Sequence, residues 1–204
     1  MVIMQLIKIE LRNEYMSSNC YLIKNESEVV VIDPGFPDNN LFNYLESNNL
    51  KIDKIILTHG HYDHWTGLEE LLNRYPNTKV YGSMLDEYWY LNNPFTNYIP
   101  KIDVDLNKLN EIEVFDTFFK IIKTPGHSRG SVSLLWDNYL ISGDVLFFES
   151  VGRTDLDGGN FTELENSILK IYELDENIKI LPGHGKNTTI KHEKVHNHFV
   201  KKQQ

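Results

Sequence analysis

Three histidines and an aspartate fall within seven residues, THGHYDH at 58–64, directly after the apolar run KIIL at 54–57. Protonated together these imidazoles repel one another. As neutral ligands, each instead offers one lone pair to a metal ion, an arrangement familiar for zinc. In an extended loop His59 and His61 project to the same side, whereas His64 breaks that parity and is free to serve a different centre. Two metals are therefore easier to accommodate than one, in a loop that opens where a buried strand ends.

The segments around this loop read as alternating strands and helices. Residues 2–11 and 20–33 read as strands, the latter ending in VVVIDPG, where a β-branched run meets a turn. Asp38 is a candidate N-cap for a helix with Leu41, Phe42 and Leu45 on one face. Leu68, Leu71 and Leu72 mark the next amphipathic helix, and a strand follows near 78–82. The stretch from Ser83 to Asp116 has weak periodicity and reads as a pocket wall or lid, or as local packing of short helices and turns. FFKIIKT, SVSLLW and NYLIS then read as three strands, with Asp137-Asn138 as a hairpin signal. Thr162 with Glu165 forms a capping-box pattern ahead of Leu164, Ile168 and Ile171, and IKIL at 178–181 is a last strand. Strand–helix alternation implies α/β layering, and no repeat or flexible linker divides residues 1–204, so one domain is expected.

Three further candidates recur at strand ends beside glycine: His127 in TPGHSRG, Asp144 in LISGDVLF and His184 in LPGHG. Glycine lets backbone approach a crowded centre and adopt positive φ, so these loops are suited to aiming a side chain.

Taken in order, THGHYDH, TPGHS, GD and PGHG resemble the metal-binding motifs of the metallo-β-lactamase superfamily, and in particular its small glyoxalase II-like hydrolases. NCYLI, VIDPG and SVGRTDLDGG strengthen the likeness, which covers nearly the whole chain. The resemblance implies a four-layer αβ/βα fold, two mixed sheets sandwiched between outer helices. It implies His59, His61 and His127 for one metal, Asp63, His64 and His184 for a second, and Asp144 bridging them. Two divalent ions follow, zinc by default with iron or manganese also compatible. The implied chemistry is attack on a thioester carbonyl by a metal-bridging hydroxide, with Asp63 orienting it; lactone hydrolysis and persulfide oxygenation at a single iron are the alternatives. Full-length glyoxalase II proteins carry a further helical domain that helps bind glutathione, and no such domain is expected here.

Arg153 either faces the substrate or pairs with Asp155, and Tyr62 and Trp65 either line a pocket or pack beside the ligands. His192, His196 and His198 read as surface or packing residues of a terminal helix. Cys20, the sole cysteine, reads as a buried strand residue and excludes both a disulfide within the chain and a thiolate cluster. A formal net charge of -9 argues against a nucleic-acid partner. No secretory h-region or membrane-length apolar run is evident, so a cytoplasmic protein acting on a small molecule is expected, while nothing fixes its oligomeric state.

Overall fold

The period-two alternation of the strands partitions their side chains between separate interiors. The structure, a computed structural model, describes residues 4–201. Its first sheet runs β1 (Gln5–Arg12), β2 (Ser17–Lys24), β3 (Glu28–Ile32), β4 (Lys51–Ile56), β5 (Lys79–Gly82) and β6 (Val104–Asp105) in that spatial order. Helix α1 (Asn39–Ser47) follows β3, α2 (Leu68–Arg74) follows β4, and α3 (Glu87–Leu91) follows β5. The second sheet contains β7 (Glu111–Val114), β8 (Thr117–Lys123), β9 (Val132–Trp136) and β10 (Tyr139–Gly143). A small ribbon, β11 (Leu146–Phe147) with β12 (Ser150–Val151), precedes α4 (Phe161–Tyr172). β13 (Lys179–Pro182) and β14 (Thr188–Thr189) complete the second sheet, and α5 (Ile190–His196) follows.

Three apolar clusters fill the spaces between four layers. Cys20, Leu22, Val29 and Val31 point outward from the first sheet against Leu41, Leu45, Leu68 and Leu71 of α1 and α2. Their alternates Tyr21, Ile23, Val30 and Ile32 meet Phe119, Ile121, Leu134 and Ile141 between the sheets. Leu140 and Ile180 face Leu164, Ile168, Ile171 and Ile190 on the far side. The expected α/β sandwich of two mixed sheets is therefore present, because one-residue alternation gives each central strand two apolar faces. Cys20 is fully buried in β2, as expected.

Two local expectations change, and the packing reading of Trp65 holds. The run 20–33 is two strands, broken where the Asn25 side chain accepts from the backbone N–H of Ser27 and Glu28 to form a turn. The cap of α4 is Asn160, accepting from Glu163 N, in place of the Thr162–Glu165 box. Asn160 is held extended because its own N–H donates to Gly126 O at 2.8 Å. Trp65 lies in the core at 0% exposure, its indole N–H donating to Gly60 O. Of the strand expected at 2–11, residues 2 and 3 lie outside the described residues.

Strand direction gathers the loops of interest on one edge. β3 and β4 are parallel, so Asp33 and Thr58–His64 leave the first sheet together, and antiparallel β2 brings Ser17–Asn19 to the same edge. In the second sheet β8, β10 and β13 run the same way, so His127, Asp144 and His184 also emerge together. Val132 N donates to Thr58 O at 2.9 Å and Asn19 N to Gly183 O at 2.7 Å, joining the two sheets at this edge. Among the described residues no helix is long and apolar enough to cross a membrane.

Candidate metal centre

All seven expected donors converge at that edge. They fall into two groups, His59 with His61 and His127, and Asp63 with His64, Asp144 and His184, the donor atoms of each lying within 4.8 Å of one another. Asp144 reaches both: its Oδ2 is 3.5 Å from His127 Nε2 and 3.2 Å from His184 Nε2, and its Oδ1 is 3.4 Å from His64 Nε2. His61 Nδ1 and His127 Nε2 approach to 2.7 Å, and Asp63 Oδ2 lies 3.1 Å from His184 Nε2.

The outer ring atoms are held by the scaffold. His59 Nδ1 lies 3.1 Å from Thr58 Oγ1 and His64 Nδ1 3.0 Å from Asp33 Oδ2. His127 Nδ1 donates to Arg153 O at 2.8 Å and His184 Nδ1 to Ser17 O at 2.6 Å. Such contacts fix ring orientation and leave the opposite nitrogen to face inward. Inward, the polar atoms are orphaned: His59 Nε2, His64 Nε2 and Asp144 Oδ1 are buried without a hydrogen-bond partner, while His61 faces His127 through Nδ1 and leaves its buried Nε2 unpartnered as well. An unsatisfied buried polar atom costs about 1–3 kcal/mol, and several gathered on adjoining donor groups suit a cation-binding centre. Neutral imidazoles with carboxylates suit divalent zinc, iron or manganese. The His/Asp groups thus fit a divalent metal.

Charge separates the two groups. Burial pushes the His61 imidazole down to about 3 and His59 well below its ordinary value, with neighbouring imidazoles adding to the effect. Burial opposes the charged form of His64 and His184 as well, but the Asp144 and Asp63 carboxylates outweigh it, raising His64 well above normal and His184 to about 10. For Asp63 and Asp144 burial is likewise overcome, chiefly by His64, and both carboxyls sit below the usual range.

Two supporting residues were not anticipated. Asp33, buried with φ +53°, accepts from Thr58 N and Thr58 Oγ1, both at 2.7 Å, as well as facing His64. Asp86, in the 83–116 stretch, accepts from Gly60 N, Ser128 Oγ and Gly130 N at 2.7–2.8 Å, pinning the loops of both His61 and His127. Burial raises its carboxyl above the ordinary range despite these donors. The VIDPG motif was the available signal for Asp33; nothing local marks Asp86.

A cleft of about 440 Å³ opens over the centre, walled by Met16, Tyr62, Trp89, Phe147, Val151 and Leu156. Trp89 meets His61 edge-on at 4.5 Å, so the 83–116 stretch does contribute a pocket wall. Tyr62 lines the cleft, stacks on Phe95 and donates to Met16 Sδ. Arg153 lines it too, and its guanidinium is bidentate to Asp155, both contacts 2.7 Å, which is the pairing that one of its two sequence readings expects. His192 pairs with Glu149 at 2.9 Å, and neither it nor exposed His196 and His198 joins the donor groups.

Gly183 has a steric reason. A Cβ there would lie 2.1 Å from Asp144 Oδ1 and 2.7 Å from His64 Cε1. Gly183→Ala is expected to displace both side chains and lower metal affinity roughly 10- to 100-fold, as measured by competition with a chelator; unchanged affinity would contradict the packing.

Comparison with known proteins agrees with this geometry. A family model described as the metallo-beta-lactamase superfamily matches residues 14–184. A "Probable metallo-hydrolase" of Streptococcus pyogenes is 33% identical, over 92% of this chain and 87% of its own. A hydroxyacylglutathione hydrolase of Haemophilus influenzae is 34% identical, over 89% and 92%. Among solved structures, the B3 metallo-beta-lactamase BLEG-1 is 32% identical with a TM-score of 0.85, over 95% of this chain and 99% of that one. A protein crystallised in a di-iron-bound form is 30% identical with a TM-score of 0.82, over 95% and 100%. With the model spanning most of its length and the fold matched throughout, this chain belongs to the metallo-β-lactamase superfamily.

Proposed function

We propose that the chain is a binuclear metal-dependent hydrolase that cleaves a small acyl thioester. The observation that carries the reading is the set of inward, unpartnered donors on two adjoining groups beneath one cleft. The Haemophilus relative, matched over nearly its full length, supports the thioester class. Lactone opening is the neighbouring reaction at the same kind of carbonyl.

His59, His61 and His127 would hold one cation and Asp63, His64 and His184 the other, with Asp144 serving both. When bound, such cations supply Lewis acidity: they ionise water near neutral pH and polarise a carbonyl oxygen. The protein's own part is positioning and exclusion. Trp89, Phe147, Val151 and Leu156 receive the acyl group and keep bulk water from the cleft. Asp63, kept ionised and facing the cleft, accepts a hydrogen bond from the attacking water and orients it. Tyr62, which also lines the cleft, limits the size of the acyl chain. Water adds at the acyl carbon, the carbon–sulfur bond breaks, and a carboxylic acid and a thiol leave. The substrate is a small molecule, with nucleic acid disfavoured by the charge of -9. The reading extends to a reducing cytoplasmic setting, supported by the single buried cysteine.

Metal analysis of the purified protein together with anaerobic thioester and lactone assays tests the reading. Two metal equivalents with thioester turnover are expected. A single iron per chain with oxygen uptake on persulfides would overturn it.

A further inference from the structure

The cleft wall beside His184 rests on a ribbon too small to hold its own shape. β11 and β12 pair only Leu146 with Val151 and Phe147 with Ser150, and a ribbon of that size is marginal in water at best. Its turn, Phe148-Glu149, adds no rigidity. Hairpin turns that match strand twist place the first central residue in the left-handed region, whereas here only the second, Glu149, lies there, at φ +53°. Yet Phe147, Ser150 and Val151 all line the cleft, and the Phe147 ring meets His184 edge-on at 6.0 Å.

The turn is held from α5. Glu193, fully buried, accepts at Oε2 from the backbone N–H of Glu149 at 3.0 Å and from Asn197 Nδ2 at 2.9 Å, and at Oε1 from Thr188 Oγ1 at 2.6 Å. Asn197 Nδ2 also donates to Ser150 O at 3.2 Å. His192 stacks on Phe148 and pairs with the Glu149 carboxyl. The helix itself is fixed: Ile190 is buried in one apolar cluster with Leu164 and Ile168 of α4, and Tyr172 Oη donates to Glu193 O at 3.3 Å. The run GHGKNTTIKHEKVHN at 183–197 thus carries both a histidine of the metal centre and the clamp on the wall beside it.

Building on the thioester reading, in which this wall receives the acyl group, we infer that Glu193 is a positioning residue for substrate specificity: from α5 it fixes the Phe147–Val151 ribbon and so sets which acyl groups the cleft holds. The wall touches the acyl chain and not the reacting carbonyl, so its displacement falls on KM and leaves kcat alone. Gly152 N donates to Val145 O at 3.3 Å and closes the base of the ribbon, which keeps a disturbance at the turn away from the donor groups.

The test reads kcat and KM of the metal-loaded protein on acetyl, butyryl and hexanoyl thioesters of one thiol, with hydrogen exchange at the Glu149 amide as a measure independent of turnover. The acetyl group, with no methylene beyond its methyl, is the internal reference. Glu193→Leu is expected to speed exchange and to raise KM for the hexanoyl thioester roughly tenfold, with kcat and the acetyl reference within about twofold. Glu193→Gln is expected to restore both readouts, because its carbonyl accepts from Glu149 and Asn197 while its amide donates to the Thr188 hydroxyl. Glu149→Pro removes the donated N–H and the left-handed φ without altering α5, and is expected to reproduce the KM effect even where Glu193→Leu fails to fold. Glu149→Gly keeps both features and is expected to match the unaltered protein. An equal loss on all three thioesters, or unchanged acyl-length selectivity in Glu149→Pro, overturns the inference while leaving the hydrolase reading standing. Turnover of none of the three by the unaltered protein removes the thioester reading and the acyl wall together.

Discussion

Asp144→Ala is expected to reduce turnover by roughly a thousandfold or more and to leave the protein with less than one bound metal equivalent. Loss of Lewis-acid stabilisation is worth several kcal/mol, and each 1.36 kcal/mol is a factor of ten in rate. Asp144 is the sharpest test because its carboxylate reaches both groups, lying 3.4–3.5 Å from His64 and from His127. His61→Ala provides the contrast, since it removes one donor from the three-histidine group and leaves the four donors of the second group in place. That variant is expected to retain about one equivalent and lose activity to a similar extent. Metal content by elemental analysis, kcat and circular dichroism together separate the outcomes. Near-normal turnover in folded Asp144→Ala would remove the shared carboxylate from the mechanism altogether.

The parts of the centre that were legible in the sequence are those fixed by local rules. THGHYDH announces itself because four donors crowd one strand end, and the glycines before His127, Asp144 and His184 repeat the same strand-to-loop transition. The α/β layering was legible from the alternation of strands and helices and the four-layer arrangement from the family resemblance; the structure realises it by alternating Tyr21 and Ile23 with Cys20 and Leu22. What escaped depends on pairing between distant segments. Asp86 supports Gly60 from 26 residues away, through a parallel register that no local pattern encodes. The cap of α4 went to Asn160 over an equally good local pattern at Thr162, because the contact with Gly126, at φ +131°, decides between them. The inward turn of Trp65 follows from the single helical turn at Tyr62–His64, which rotates the next side chain away from the cleft and into the core. Of the two readings of Trp65, pocket lining and packing, that turn selects packing.

Asp33→Ala is expected to be the most destabilising change outside the donor set, at about 3–5 kcal/mol, the usual effect of removing one partner from a buried charged network. The carboxylate serves three groups at once: the Thr58 N–H, which has no replacement at the end of β4, the Thr58 hydroxyl, and His64 Nδ1. Thr58 Oγ1 in turn faces His59, so a single truncation loosens one histidine of each metal group. For a chain of this size the melting temperature should fall by roughly 10 °C. Metal affinity should fall roughly 10- to 100-fold as the rings lose their fixed orientation. Backbone conformation supplies a control. Position 33 sits at φ +53°, which asparagine tolerates and alanine does not, so Asp33→Asn keeps the backbone geometry while removing the charge. Recovery of stability but not of metal affinity in Asp33→Asn would assign the carboxylate's charge to orienting His64 and its backbone to the turn. Full recovery of both would show that hydrogen-bonding shape suffices and that the negative charge beside His64 is dispensable.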